Sequence, residues 1–433
     1  MTLFSTEPKI SNSHFSALIA QHLDVDGMLH CLQELIKIPS VTGSAAESQA
    51  QHWFAARLEE SNFQADLWQI DLAAVKAHPD FPGLEAPRSE AWGLVGSWGG
   101  EAGPTLVLNG HIDVVPAGDL QQWQAGDAFS GRIADGRLYG RGACDMKAGL
   151  VANLYAVKAL QAAGIKLKGK VLLESVVGEE DGGLGTFATL LRGYRGEAAI
   201  ITEPTEMELI PACAGALTFR LTLSGLSAHA SMRREGVSAI EKFWLIWEAL
   251  EKLEARRNQP GHPLMARFEL PYPLSIGTLQ AGNWPSSVPD QLSAEGRLGV
   301  ALGEAPEQAR RELEETLTEV CRNDSWLRDH PVAVDWFGGQ FASGHIPVEH
   351  PLVGLVSTTH HRLHGNLPAV HGAPYGSDLR LMTGLGGVPT LHYGPGSAKQ
   401  AHAPNEYVPI SELISTAQTL ALVILEFCGA DEM

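Results

Sequence analysis

His111 and Asp113 sit two residues apart, just beyond an apolar run of Leu106, Val107 and Leu108. The run reads as a short buried strand. Asn109-Gly110 reads as the turn that ends it. In an extended segment residues i and i+2 point to the same side. An imidazole and a carboxylate would then be held together at the mouth of the strand. That pairing suits a metal-binding His whose second nitrogen is oriented by a carboxylate. Alone, a His-x-Asp is better read as a plain loop, and its meaning depends on what else in the chain reaches the same point.

Other candidates fall at similar places. Asp145 lies in a glycine-punctuated loop before a helix that starts near Lys147. Glu179 and Glu180 follow a strand at 171–177, Glu203 follows one at 198–202, and His402 lies in the loop after a strand at 389–392. Each has a bland reading: Asp145 as a helix cap, Glu179-Glu180-Asp181 as a solvated turn, Glu203 as a turn residue before Pro204, His402 as an ordinary histidine. Together they weigh differently. In open α/β sheets ligands bind beyond the carboxyl ends of strands. Several acidic and imidazole groups gathered there would repel and desolvate one another without a cation. Two divalent ions resolve this. Two histidines and three carboxylates suit zinc, with manganese or cobalt as alternatives. Such ions, about 3.5–4 Å apart, can hold a bridging water and lower its pKa. Of adjacent Glu179 and Glu180, one would bind metal and the other would accept the proton of that water.

The elements that must position these groups follow from apolar spacing. Helices are expected at Met28–Ile38, Ser44–Glu60, Lys147–Ala163, Thr186–Leu191, Leu352–Leu363 and Ile410–Phe427. Gln64–Ile70 reads as a strand and Asp80–Glu90 as a Pro-rich loop. Leu94–Ser97 and Thr105–Leu108 read as neighbouring strands. Asp135-Gly136 marks a hairpin. Residues 1–25 read as a lead-in or peripheral helix. Strands alternating with helices imply an α/β sheet covered on both faces. From about Ala214 the style changes to half-buried, alternating strands around two helices. That strand-helix-strand-strand-helix-strand order is a split βαβ sandwich. The expected division is a catalytic domain in two parts, 1–213 and 343–433, with an inserted α+β, ferredoxin-like domain at 214–342.

The chain has 433 residues, with 31 basic against 50 acidic side chains and a formal charge of −19. That argues against nucleic acid and anionic membrane as partners. Five scattered cysteines without a CxxC pair fit reduced thiols in a cytoplasmic protein. The first fifteen residues lack the pattern of a secretion signal, and no stretch reads as long enough for a membrane span.

The stretches GHIDVVP, GRGACDMK, GEEDGG, TEPT and GPGSAKQAHAPNE resemble, in order, those of the M20-type metallopeptidases. That family includes acetylornithine deacetylase, succinyl-diaminopimelate desuccinylase, aminoacylase and the carboxypeptidase that cleaves folates. The resemblance implies a mixed-sheet, zinc-peptidase-like catalytic domain. It implies that His111 and Glu203 hold one metal, that Glu180 and His402 hold the other, and that Asp145 bridges. Asp113 would orient His111, and Glu179 would be the general base, later protonating the leaving amine. The inserted domain would form a homodimer. SGLSAHAS makes His229 the candidate oxyanion helper reaching the partner's site. In GNWPSSVPD, Asn283 resembles a substrate-contacting residue, and Arg297 would grip a substrate carboxylate. GSDLR puts Ser377 and Asp378 in a pocket-lining loop, and Gly394 and Gly396 would face substrate through their backbone.

Glu203 occupies the position where the family's deacylases carry Glu and its peptidases tend to carry Asp. The expected activity is therefore removal of a small acyl group from an amino-bearing metabolite. Acetylornithine deacetylase heads the readings, with succinyl-diaminopimelate desuccinylase beside it. A formylaminopyrimidine deformylase is the third, since GVSAIEK, WPSSVPD and chain length resemble that branch as well. A dipeptidase or carboxypeptidase is disfavoured by Glu203. A metal-free binding protein on the same fold would be signalled by loss of Glu179, which is present.

Overall fold

The computed structural model describes residues 12–124, 126–259 and 261–431. Of the lead-in, residues 1–11 lie outside the described residues, and Asn12–His22 forms a helix. The chain forms two compact units: residues 1–211, 345–371 and 381–433 in one, residues 212–344 and 372–380 in the other. The short segment 372–380, which the sequence division leaves with the catalytic portion, is grouped with the inserted unit.

The first unit is built on a mixed sheet. Its strands lie in the order Gln64–Gln69, Trp92–Gly99, Lys170–Val176, Thr105–His111, Ala198–Ile201 and Thr390–His392, followed through Ile210 by the start of Leu209–Cys213. Lys170–Val176, Thr105–His111, Ala198–Ile201 and Thr390–His392 run parallel. Their carboxyl ends therefore share one edge of the sheet, the location expected for ligands. Near-continuous apolar runs such as Leu106-Val107-Leu108 and Ala198–Ile201 are buried, as parallel strands covered on both faces require.

Two expectations fail here. Leu94–Ser97 and Thr105–Leu108 are not neighbours, because Lys170–Val176 lies between them. The link between them crosses the end of that strand, with Gly100 N–H donating to Gly169 O at 2.8 Å and Ala102 N–H to Lys168 O at 2.8 Å. Nor does Asn109-Gly110 form a turn. The strand runs on to His111, and the Asn109 amide donates to Glu174 Oε2 at 3.0 Å inside the core.

The Asp135-Gly136 hairpin is present between Arg132–Ala134 and Arg137–Tyr139, with positive φ of 50° and 69° at the two turn residues. Helix Lys147–Ala162 is buried along nearly its whole length and packs on helix Ile410–Cys428. Among the described residues, Ile410–Cys428 is the one helix long and apolar enough to cross a membrane. The expectation that no stretch reaches that length is corrected on length. The helix spends its apolar surface on the core of this unit, burying Leu413, Ala417, Leu420 and Ile424 among others.

The second unit has a four-stranded antiparallel sheet in the order Leu274–Ala281, Gln291–Val300, Gly215–Ser224, Ala333–Phe341. In sequence this is strand, helix, strand, strand, helix, strand, the split βαβ order. Alternation in the central strand places Leu217, Phe219, Leu221 and Leu223 in one core with Phe243, Ile246 and Leu250 of helix Ala239–Arg257 and Leu313 and Leu317 of helix Pro306–Asn323.

Candidate metal centre

Three parallel strand ends and two loops bring the predicted site residues of the first unit together. His111 ends its strand, Glu179 and Glu180 follow Lys170–Val176, and Glu203 follows Ala198–Ile201. Asp145 precedes helix Lys147–Ala162, and His402 comes from the loop beyond Thr390–His392. Ligand atoms of His111, Glu179 and Glu203 lie within 4.8 Å of one another, as do those of His111, Asp145 and Glu180. His111 Nε2 is 3.1 Å from Asp145 Oδ1. The other oxygen, Asp145 Oδ2, is 3.6 Å from His402 Nε2. One carboxylate thus faces two histidines, the disposition a bridging ligand needs. His402 Nε2 also lies 3.1 Å from Glu180 Oε2.

The electrostatics express a cation demand. Burial pulls His111 down, but Asp145, Glu203 and Asp113 together hold it well above the ordinary imidazole value. The hydrogen bond to Glu180 is the main cause that lifts His402 to about 9. Burial and then the Asp145 charge push Glu180 up. Carboxylates taken out of water beside imidazoles favour a nearby positive charge, which divalent ions would supply. Histidine nitrogens and carboxylate oxygens in two overlapping clusters fit a pair of borderline divalent cations.

Asp113 acts differently from its expected form. The His111 Nδ1–H donates to the main-chain oxygen of Asp113 at 2.8 Å, while the Asp113 carboxylate is 3.8 Å from that nitrogen. The backbone therefore fixes the ring and leaves Nε2 toward the other donors. The carboxylate accepts instead from Thr42 Oγ1 at 2.8 Å and from Glu179 N–H at 3.3 Å.

Two residues that sequence reasoning missed brace the centre. Glu406 Oε1 accepts the backbone N–H groups of Cys144 at 2.8 Å and Asp145 at 3.0 Å. Its Oε2 accepts from Arg141 Nη1 at 2.6 Å, and Arg141 Nη2 donates to His402 O at 3.2 Å. Both lie within the quoted stretches GRGACDMK and GPGSAKQAHAPNE, but nothing in their spacing marks them as partners. Gly394 and Gly396 serve packing rather than presenting free backbone donors. Gly394 N–H donates to Thr205 Oγ1 and Gly396 N–H to Glu412 Oε2. A Cβ at Gly394 would meet Thr202 O at 2.4 Å, and one at Gly396 would meet Cys144 Sγ at 2.7 Å.

The remaining candidates belong to the second unit. His229 is exposed and caps the short segment Ala230–Glu235, its Nδ1 accepting from Ser231 N–H at 3.2 Å. Asn283 is exposed in the loop between two strands, and Arg297 is exposed on Gln291–Val300, with its guanidinium 5.8 Å from the Phe341 ring. Ser377 and Asp378 are buried, the latter 3.7 Å from Arg380.

Residues 107–426 match the sequence profile of peptidase family M20/M25/M40. The chain is similar to an N-formyl-4-amino-5-aminomethyl-2-methylpyrimidine deformylase of Halalkalibacterium halodurans, 30% identical over 424 residues that cover 93% of this chain and 94% of that one. It is also similar to an acetylornithine deacetylase of Yersinia pestis, 28% identical over 334 residues, 76% of this chain and 80% of that one. Among solved structures, the dipeptidase Dug1p of Saccharomyces cerevisiae superposes with a TM-score of 0.76 at 16% identity, covering 97% of this chain and all of that one.

Proposed function

The chain belongs to peptidase family M20/M25/M40, and from that premise we propose that it is a two-metal deformylase of an N-formylated aminomethylpyrimidine. As a member of this family it is a metal-dependent amidohydrolase. The observation that carries the substrate reading is the end-to-end similarity to the deformylase, against a shorter match to the acetylornithine enzyme. Deacetylation of N-acetylornithine, the activity first expected from the resemblance, is the second reading.

The ligand set is proposed as His111, Asp145, Glu180, Glu203 and His402, with zinc as first choice and cobalt or manganese as alternatives. Bound there, the ions would supply Lewis-acid polarisation of the amide carbonyl and an acidified water. Glu179 is the proposed base. Its carboxylate takes the proton of the attacking water and returns it to the departing amine nitrogen. The turn that carries it is held through the Glu179 N–H on Asp113.

The second unit is proposed to pair two copies. Helix Ala239–Arg257 exposes Ile240, Trp244 and Leu245, a patch that association would cover. His229 is proposed to steady the oxyanion in the partner subunit's site, and Asn283 and Ser377 to contact substrate. Arg297 loses its expected task, since an aminomethylpyrimidine has no carboxylate to grip. Five cysteines that form no disulfide favour a reducing, cytoplasmic setting.

Zinc-loaded protein assayed against the formylaminopyrimidine, acetylornithine, succinyl-diaminopimelate and a dipeptide panel tests the reading. The expected result is a kcat/KM for the pyrimidine at least about 100-fold above the others, a discrimination within reach of buried polar recognition. Preference for acetylornithine would replace it with the second reading.

A further inference from the structure

The Pro-rich loop 80–90, which the sequence presents only as a connection, sends Arg88 into the interior behind the Glu179 turn. Its side chain is fully buried. Arg88 Nη2 donates to both Asp181 oxygens at 3.2 Å and lies 3.7 Å from Glu47 Oε1. The same loop gives Asp181 Oδ2 the N–H of Ala86 at 2.9 Å and that of Glu85 at 3.3 Å.

These groups surround the turn Gly178–Gly183. Glu47 Oε1 accepts the N–H of Gly178 at 3.1 Å, and Asp113 Oδ1 accepts that of Glu179. Successive amides of the turn therefore rest on two buried carboxylates, and Asp181, two residues beyond Glu179, is tied to the loop. The fit is close at both ends. A Cβ at Gly178, where φ is +66°, would stand 2.3 Å from Arg88 Nη1, and one at Gly182 would stand 2.3 Å from Gly83 O. Buried carboxylates gathered this densely demand a counter-charge, and the planar guanidinium meets two of them at once.

We propose that Arg88 is a positioning residue for amide hydrolysis: by clamping Asp181 and facing Glu47 it fixes the Gly178–Gly183 turn and so the place of the Glu179 carboxylate. This rests on Glu179 being the general base. The effect reaches the reaction through the turn, without contact to substrate. A displacement of about 1 Å in a reacting group costs on the order of 100-fold in rate, so a modest loosening of the turn is enough.

The test uses full-length, zinc-loaded protein carrying Arg88→Lys, and a second variant, Arg88→Met with Asp181→Asn, that removes the Arg88–Asp181 pair together and leaves Glu47 its hydrogen bond from Gly178 N–H. With formylaminopyrimidine as substrate, Arg88→Lys is expected to lower kcat roughly 5- to 20-fold with KM within about twofold. The double variant should fall further, and bound zinc should stay at the wild-type ratio in both. Backbone hydrogen exchange across 178–183 should accelerate in both variants, a readout that needs no substrate. Wild-type kcat and wild-type exchange in both folded, metal-loaded variants would overturn the proposal, as would a rise in KM alone. If wild-type protein leaves the pyrimidine intact, the substrate reading falls and the exchange measurement decides Arg88 by itself.

Discussion

Arg141 and Glu406 form a buried ion pair, 2.6 Å between Nη1 and Oε2, that ties the Asp145 loop to the His402 loop. Glu406 receives the Asp145 N–H and Arg141 reaches the His402 carbonyl, so one pair sets the spacing of two proposed ligands. Outer partners of this kind commonly govern affinity by about 10- to 100-fold. Glu406→Gln should therefore weaken zinc binding by about that factor while leaving the fold intact, measured by competition with a chromogenic chelator. Unchanged affinity would reduce the pair to a packing element.

Glu179 stands close to His111 and Glu203 as well as beside Glu180, so base and ligand roles can be separated by one substitution. Glu179→Gln should keep both metal equivalents and lose about 10²- to 10⁴-fold in kcat, the range ascribed to a positioned base. Metal analysis alongside single-turnover rates checks this. Loss of one metal equivalent would instead make Glu179 a ligand.

His229→Ala should lower kcat by roughly 100-fold, as removal of one oxyanion donor does, with the proposed dimer retained in sedimentation velocity. Trp244→Glu, in the exposed apolar patch of helix Ala239–Arg257, should instead yield monomers whose turnover falls to the His229→Ala level. Monomers with full turnover would remove the action of His229 from the partner, and full turnover in His229→Ala would remove the oxyanion role.

The proposed ligands are legible in the chain because each follows an apolar run or opens a helix, and strand ends of a parallel sheet meet at one edge. The alternating pattern of Gly215–Ser224 likewise reveals its half-buried sheet. What stays hidden is long-range. Arg141 and Glu406 are 265 residues apart, and an ion pair at that separation leaves no local spacing to read. Arg88 and Asp181, 93 residues apart, are hidden for the same reason. Asn109-Gly110 misleads because its turn preference is local. Inside the sheet the Asn109 amide finds Glu174 and Thr186, and Gly110 lies flat against Met146 and Leu150, so tertiary partners override the dipeptide.

His360 is 3% exposed on helix Pro351–His364, and its Nδ1 is 2.8 Å from the Tyr393 hydroxyl. That hydroxyl donates to Thr419 Oγ1 at 3.3 Å, which also lies 3.1 Å from His364 Nε2. Burial first, then the charges of His364 and His361, lower His360 from 6.5 to about 4. A histidine with a depressed folded pKa binds fewer protons folded than unfolded between those values. Stability is therefore full above about 6.5 and is lost as pH falls toward 4, by about 1–2 kcal/mol between pH 7 and pH 5. His360→Gln keeps an N–H for Tyr393 but does not titrate. Urea unfolding at pH 7 and pH 5 should show a smaller loss for this variant than for the wild type, the difference being that same about 1–2 kcal/mol. Equal losses in the two proteins would mean that His360 does not carry the acid sensitivity of this unit.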